Sequence, residues 1–427
     1  MVNLVVLLCF FPFFRYLPLG EVESQPAASL VSILSLLIYG AADSPPIRAI
    51  FALSVTIIGL MFFAVLGLSV PPAAAAQQAI AYFAPLPIIA FLWARLSLLS
   101  WRITLASGMA YLALGVLQAR GLVPGFLDAL LSQIISRYQS TFVGGGRGVV
   151  MFAPEPDYAS RQIILFAALS LYFVASERIP RIAGVAVVII AALAMVGLNR
   201  SITGIGVFAA LLIFSSLGRF RMRRLLLLGS LLAVTTFAGW TALTRLDLSE
   251  ATENTPRIVQ LASSLTQAAA RGNFGLADVV QFASARLVTN LAAIRATPEM
   301  IWLGGGIGRS ETIVIASIQN DPLLQGINFR SEDFGNLKPQ SWITAFTLEA
   351  GAFGILVLLA SLLTICWEVF SRLLSMNQRG LAFGCLVTGI LQLTLLGPHS
   401  LPAPWLLLVI ANAVSMLNTN IGEKDVS

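Results

Sequence analysis

Apolar runs long enough to cross a lipid bilayer recur along the whole chain, from its first residues to Leu417. A helix needs roughly 17–25 mostly apolar residues to span the hydrocarbon core, and about twelve runs approach that length. They lie near 2–19, 27–41, 47–70, 74–94, 101–119, 159–176, 182–198, 202–218, 224–243, 341–366, 381–397 and 402–417, the first two being short. Of 427 residues, 57% are hydrophobic and only 11% charged, against about 25% charged in soluble domains. Lipid must therefore solvate most of the chain. The recurrence also excludes a lone signal peptide or tail anchor. The expected fold is an all-α polytopic membrane protein of about twelve transmembrane helices, forming one transmembrane domain over 1–427.

The formal net charge of +6 could suggest nucleic acid, but its distribution argues against such a partner. Basic residues gather in "ERIPR" (177–181), "GRFRMRR" (218–224) and "SRLLSMNQR" (371–379). These are short links between spans, where the positive-inside rule puts cytoplasmic loops. With 218–224 inside, alternation puts Arg95, Arg102, 177–181, 371–379 and both termini inside as well. Segments 120–158, 199–201, 244–340 and 398–401 then fall outside. Cys9, Cys366 and Cys385 all lie in apolar runs, as small buried hydrophobes do, which speaks against a disulfide framework or a zinc knuckle.

The outer segment 244–340 is the one long hydrophilic stretch. Within it, "ADVVQFASARLVTNLAAIRA" (277–296) lines up Val280, Ala283, Leu287, Leu291 and Ile294 at helical spacing. The spacing predicts an amphipathic helix packed on the membrane domain, ending before Pro298. "LGGGIGRS" (303–310) is a turn-rich segment beside it. Loops this long in a compact protein are usually functional.

Positive-inside logic predicts few external arginines, yet Arg147 lies in "GGGRGVVMFAPEPDYAS" (144–160) and Arg200 in "LNRSITG" (198–204). Arg286 projects near the edge of the loop helix's stripe, and Arg161 and Arg309 are further candidates of this kind. Arg200 could simply snorkel to the interface, but so short a hairpin could also have been neutral. Arg286 reads equally well as a solvated helix charge. An arginine at an apolar boundary suits phosphate, which its planar fork grips with two parallel hydrogen bonds. The glycines beside Arg147 and in 304–308 would let backbone amides approach an anion. No Walker lysine follows either run, and neither belongs to a strand-to-helix unit.

Pro154 and Pro156 bracket Glu155, which the following proline pushes into an extended conformation. Asp157 falls on the same side of that extended backbone and stands where the N-cap of a helix from Tyr158 would be. The two carboxylates could hold a divalent ion. The sequence has no Asp-x-Asp, however, and the only histidine, His399, is remote, so no metal site is expected.

"APEPDYAS", "LNRSITG", "SARLVTNLAAIRATPEMIWLGGGIGRS" and "TLEAGAFG", in this order, resemble landmarks of the bacterial O-antigen polymerase and O-antigen ligase superfamily. The resemblance runs from about Arg147 to Gly354. It implies metal-independent, inverting glycosyl transfer at the outer face of the bacterial inner membrane, with no cofactor. An undecaprenyl-diphosphate-linked glycan would be the donor and a sugar hydroxyl on a second glycan the acceptor, alongside membrane lipid and a possible chain-length regulator protein. Glu155 and Arg286 are the expected catalytic residues. Arg147, Arg200, Asp157, Arg161 and Arg309 are the expected substrate-binding set. The ligase branch usually carries a histidine just before the span with the E-x-G motif. Here that stretch reads "KPQSWITAF" (338–346), which favours polymerase. Open alternatives are the ligase, a peptidoglycan-type glycosyltransferase, and a non-enzymatic glycolipid transporter, which would put ionisable groups near the bilayer midplane.

Overall fold

A computed structural model describes residues 1–10, 26–135, 138, 148–217, 285–297, 302–321, 339, 341–373, 379–393 and 401–417. Among these residues the structure is all-helical, without a strand. The helices are α1 (Val2–Phe10), α2 (Pro26–Tyr39), α3 (Pro45–Gly67), α4 (Pro72–Phe83), α5 (Pro85–Leu92), α6 (Trp101–Ala119), α7 (Gly125–Ile134) and α8 (Pro156–Ala175). They continue as α9 (Arg181–Ala194), α10 (Ile202–Leu217), α11 (Ala285–Ala296), α12 (Ser310–Asn320), α13 (Trp342–Leu373), α14 (Arg379–Leu391) and α15 (Pro402–Met416). Proline opens six of the described helices, at Pro26, Pro45, Pro72, Pro85, Pro156 and Pro402. Its missing N–H costs nothing in the first turn, and it disfavours helical geometry at the preceding residue, although Ala84 before Pro85 keeps that geometry and carries α4 on into α5.

Two helices form the centre. In α8 every residue from Pro156 to Ser170 is buried, and in α15 every residue from Pro402 to Ser415. Helix α15 packs on α5, α8, α13 and α14, while α8 also packs on α6, α9 and α10. Around them α3, α9 and α13 turn large apolar side chains outward. These are Val55, Ile58, Phe62 and Leu66 on α3, Ile182, Val185, Ile189 and Leu193 on α9, and Leu356, Leu359, Leu363 and Trp367 on α13. Their three- and four-residue spacing makes continuous outer stripes. A helix that is apolar on its outer as well as its inner face belongs in lipid.

Five helical segments are long and apolar enough to cross a membrane: Pro45–Gly67, Pro72–Leu92, Pro156–Ala175, Arg181–Asn199 and Trp342–Arg372. The expected dozen is not reached among the described residues. Apolar runs counted in sequence include turn residues, so several helices, such as Pro26–Tyr39, Thr203–Ser216, Gly380–Leu391 and Pro402–Met416, are shorter than their runs. Helix α6 is 19 residues long but carries Arg102, Thr104, Ser107 and Gln118. The run 224–243 lies outside the described residues.

Most of the expected loop 244–340 also lies outside them, and α11 and α12 are its described helices. Helix α11 packs on α12 and on α13, which joins it to the apolar domain. Its buried side differs from the expected stripe. Thr289, Ala292, Ala293 and Ala296 are buried, whereas Ile294 is 58% exposed. Leu291 of the expected stripe packs on the same cluster as Ala292, Ala293 and Ala296, together with Val314 of α12 and Leu348 of α13, so the packed face keeps Leu291 and turns Ile294 away.

Candidate functional site

Two pairs of sequence motifs dock on each other. The first joins the segment before α8 to the turn before α10. Val149 donates its N–H to the Leu198 carbonyl at 2.9 Å, and Asn199 Nδ2 donates to the Pro156 carbonyl at 2.5 Å. The approach is so close that a Cβ on Gly148 (φ +90°) would lie 2.0 Å from the Asn199 carbonyl oxygen. Only glycine accommodates both that dihedral and that contact.

Glu155 is extended, as the following proline dictates, with φ −145° and ψ 156°. It is itself the N-cap residue of α8, because Pro156 already begins the helix. Asp157 is therefore the second helical residue and not the cap expected from sequence. Its carboxylate turns to other work. Oδ2 accepts from Arg161 Nη2 at 2.8 Å, one helical turn on. Oδ1 accepts from Ser201 Oγ at 3.2 Å and from the Thr203 hydroxyl. Asp157 is 8% exposed and Arg161 only 2%. A buried ion pair survives where extra hydrogen bonds occupy its remaining lone pairs, and the Ser201 and Thr203 hydroxyls supply them.

A crevice too tight to admit a water molecule runs along this pair, lined by Asp157, Ser160, Arg161, Thr203, Gly204 and Gln392 among others. Gln392, just after α14, is fully buried, and neither of its amide atoms has a hydrogen-bond partner among the described residues. Beside the crevice, Arg200 is exposed and left-handed, with φ +56°. It ends the π-turn Met195–Asn199, its Nε donating to the Gly197 carbonyl at 3.3 Å. A non-glycine residue in this region carries strain, and such residues cluster at functional sites.

The second docked pair joins the glycine-rich turn to α13. Helix α13 is broken at Gly351, whose φ of 62° and ψ of −161° are non-helical. The turn satisfies backbone groups around the break. Gly305 and Gly306 donate N–H groups to the Leu348 and Glu349 carbonyls at 2.9 and 3.0 Å, and Phe353 donates to the Trp302 carbonyl at 3.2 Å. A Cβ on Gly351 would sit 2.4 Å from the Gly304 nitrogen. The Glu349 side chain is completely buried. Its Oε2 accepts from the Tyr82 hydroxyl at 2.9 Å. Its Oε1 accepts from the Gly308 and Ser310 backbone amides at 3.2 and 3.0 Å. Tyr82 in turn packs edge-on against Trp342 and Phe346 of α13.

Glu155, Asp157, Arg161 and Arg200 thus lie on the two interlocked segments of the first dock. Arg309 is exposed at the N-cap of α12, in the second. Arg286 is the second residue of α11, the helix packed beside α12, and the structure describes its backbone but not its side chain. Arg147 and His399 lie outside the described residues. Among the described residues no three His, Cys, Asp or Glu side chains gather as metal ligands would. Sequence reasoning missed Glu349, Tyr82, Asn199, Ser201, Thr203 and Gln392. For Glu349 a signal existed: it is a lone carboxylate within the apolar run 341–366, and an ionisable residue in such a run is a functional candidate by default. No known family model matches the chain, and no curated protein matches it in sequence.

Proposed function

We propose that the chain is a membrane glycosyltransferase of the O-antigen polymerase kind, joining undecaprenyl-diphosphate-linked oligosaccharides at the outer face of the bacterial inner membrane. The reading rests on one observation above others. Two motifs that resemble the family's landmarks, 40 or more residues apart in sequence, interlock around the buried Asp157–Arg161 pair, with Glu155 and Arg200 at its edge. In the proposed reaction an acceptor hydroxyl attacks the anomeric carbon of the donor sugar. The new oxygen–carbon bond forms as the bond from that carbon to the diphosphate oxygen breaks, which inverts the centre. The hydroxyl proton passes to the Glu155 carboxylate, and the departing lipid diphosphate carries the negative charge. Arg200 stabilises that charge, with Arg147, Arg286 and Arg309 as further cations from the outer segments. Asp157 and Arg161 hold the 156–161 turn rigid beneath Glu155.

The test is reconstitution of the purified full chain in liposomes with an undecaprenyl-diphosphate-linked oligosaccharide. A ladder of longer glycans, with release of undecaprenyl diphosphate, is the expected result. Absence of both rejects the reading, whereas transfer only to a lipid-A-type acceptor identifies a ligase. Glu349, a carboxylate inside the candidate span Trp342–Arg372, favours a glycolipid transporter as the second reading. That protein would move the glycolipid across the vesicle membrane without lengthening it.

A further inference from the structure

We propose that Glu349 is a positioning residue for Arg309. One carboxylate oxygen, Oε1, receives the backbone amides of Gly308 and Ser310, the two residues flanking Arg309. The other, Oε2, is fixed by the Tyr82 hydroxyl. The Arg309 backbone is thus clamped on both sides, and its own N–H closes the turn onto the Gly306 carbonyl at 3.2 Å. The clamp is buried while Arg309 is exposed, so a rigid internal carboxylate determines where an external cation stands. The Ser310 amide, the first of α12, brings the positive end of that helix to the carboxyl group. On the glycosyl-transfer reading, on which this step rests, Arg309 meets the donor's diphosphate and Glu349 aligns it without touching substrate.

The test is a double-mutant cycle on the full chain, with undecaprenyl diphosphate as the binding probe. Glu349→Gln keeps the side-chain volume and replaces one carboxyl oxygen, an acceptor, with an amide group, a donor. Glu349→Gln and Arg309→Ala should each weaken binding about tenfold, and the double variant should bind no worse than Arg309→Ala alone, because residues acting as one unit are not additive. A spin label on Thr312→Cys, at an exposed position on α12, should gain mobility in Glu349→Gln. Additive losses, or an unchanged label, would overturn the proposal, as would full binding by Arg309→Ala. Should Glu349→Gln fail to fold, Tyr82→Phe removes one bond to the same carboxylate and enters the same cycle. Non-additivity in a protein that makes no polymer would reject the polymerase reading and keep the clamp. Additivity in a protein that makes polymer would do the reverse.

Discussion

Asp157 and Arg161 face each other at 2.8 Å across one turn of α8, both withdrawn from solvent. The pair stands at the start of a helix that is buried over most of its length, where the chain has little freedom to relax around an unpaired charge. Ser201 and Thr203 reach the same carboxylate from the turn before α10. The pair therefore fastens a turn to a helix as well as balancing charge.

Asp157→Asn should consequently be costly. A helix-cap role would lose about 1 kcal/mol. Removing one partner of a buried pair strands the other charge and loses about 3–5 kcal/mol. Chemical unfolding of the purified protein in detergent separates the two values, and a loss near the lower one would mean that Arg161 finds another partner.

Gly148→Ala should loosen the first dock. Alanine at a positive φ destabilises by more than the ~0.4–1 kcal/mol that the same change contributes at a compatible site, and the contact with the Asn199 carbonyl adds to that. Gly125→Ala is the control, since a Cβ there meets nothing within 4 Å. Equal melting temperatures for the two variants would contradict the docked geometry.

Local rules made the start of α8 legible: prolines at 154 and 156 force an extended Glu155 and then a helix. The docks were legible only as an ordered set of motifs, because their hydrogen bonds join distant segments. Tyr82 and Glu349 are separated by 267 residues, and nothing near either names the other. Periodicity placed the face of α11 only in part, for a related reason. A hydrophobic stripe marks the buried face when large side chains fill the interface, but here Ala292 and Ala293 pack beside Leu291 and Ile294 points away. Arg161 looked like one more external cation until the fold enclosed it.

Charge alternation predicts that α12 faces outward and that the turn between α8 and α9 faces the cytoplasm. Thr312 and Glu177 are exposed in these two places. Cysteine at Thr312 should react with an impermeant thiol reagent on intact cells, and cysteine at Glu177 only after permeabilisation. The opposite pattern would move both docks to the inner face and remove the proposed substrate side.

Glu155→Gln should reduce polymer formation about 100-fold or more, the range that general-base assistance contributes. Undecaprenyl diphosphate binding should persist, because the amide keeps the shape and the Glu155 side chain does not cap α8. Glu155→Asp should retain partial turnover. Loss of binding in Glu155→Gln would make this residue an aligner of cations, and full turnover would remove it from the mechanism.

Arg200 offers a separation of stability from function that most site residues do not. Its left-handed backbone is a conformation that glycine adopts without penalty, and the turn hydrogen bond from its N–H to the Met195 carbonyl at 2.9 Å needs no side chain. The glycine variant loses the exposed Nε bond to the Gly197 carbonyl but relieves the strained backbone, so Arg200→Gly should fold as well as the native chain, or better, in unfolding measurements. The guanidinium is lost all the same. A charge-assisted bond to phosphate contributes on the order of 1.5–3 kcal/mol, so undecaprenyl diphosphate binding should fall roughly ten- to hundredfold. Arg200→Ala should bind as poorly as the glycine variant but be less stable. Arg200→Lys should bind with intermediate strength, since it keeps the charge without the two-pronged geometry. If the glycine variant proves more stable and binds normally, the strain at Arg200 serves the turn alone. If it is more stable and binds poorly, the strained backbone is kept for what the side chain does.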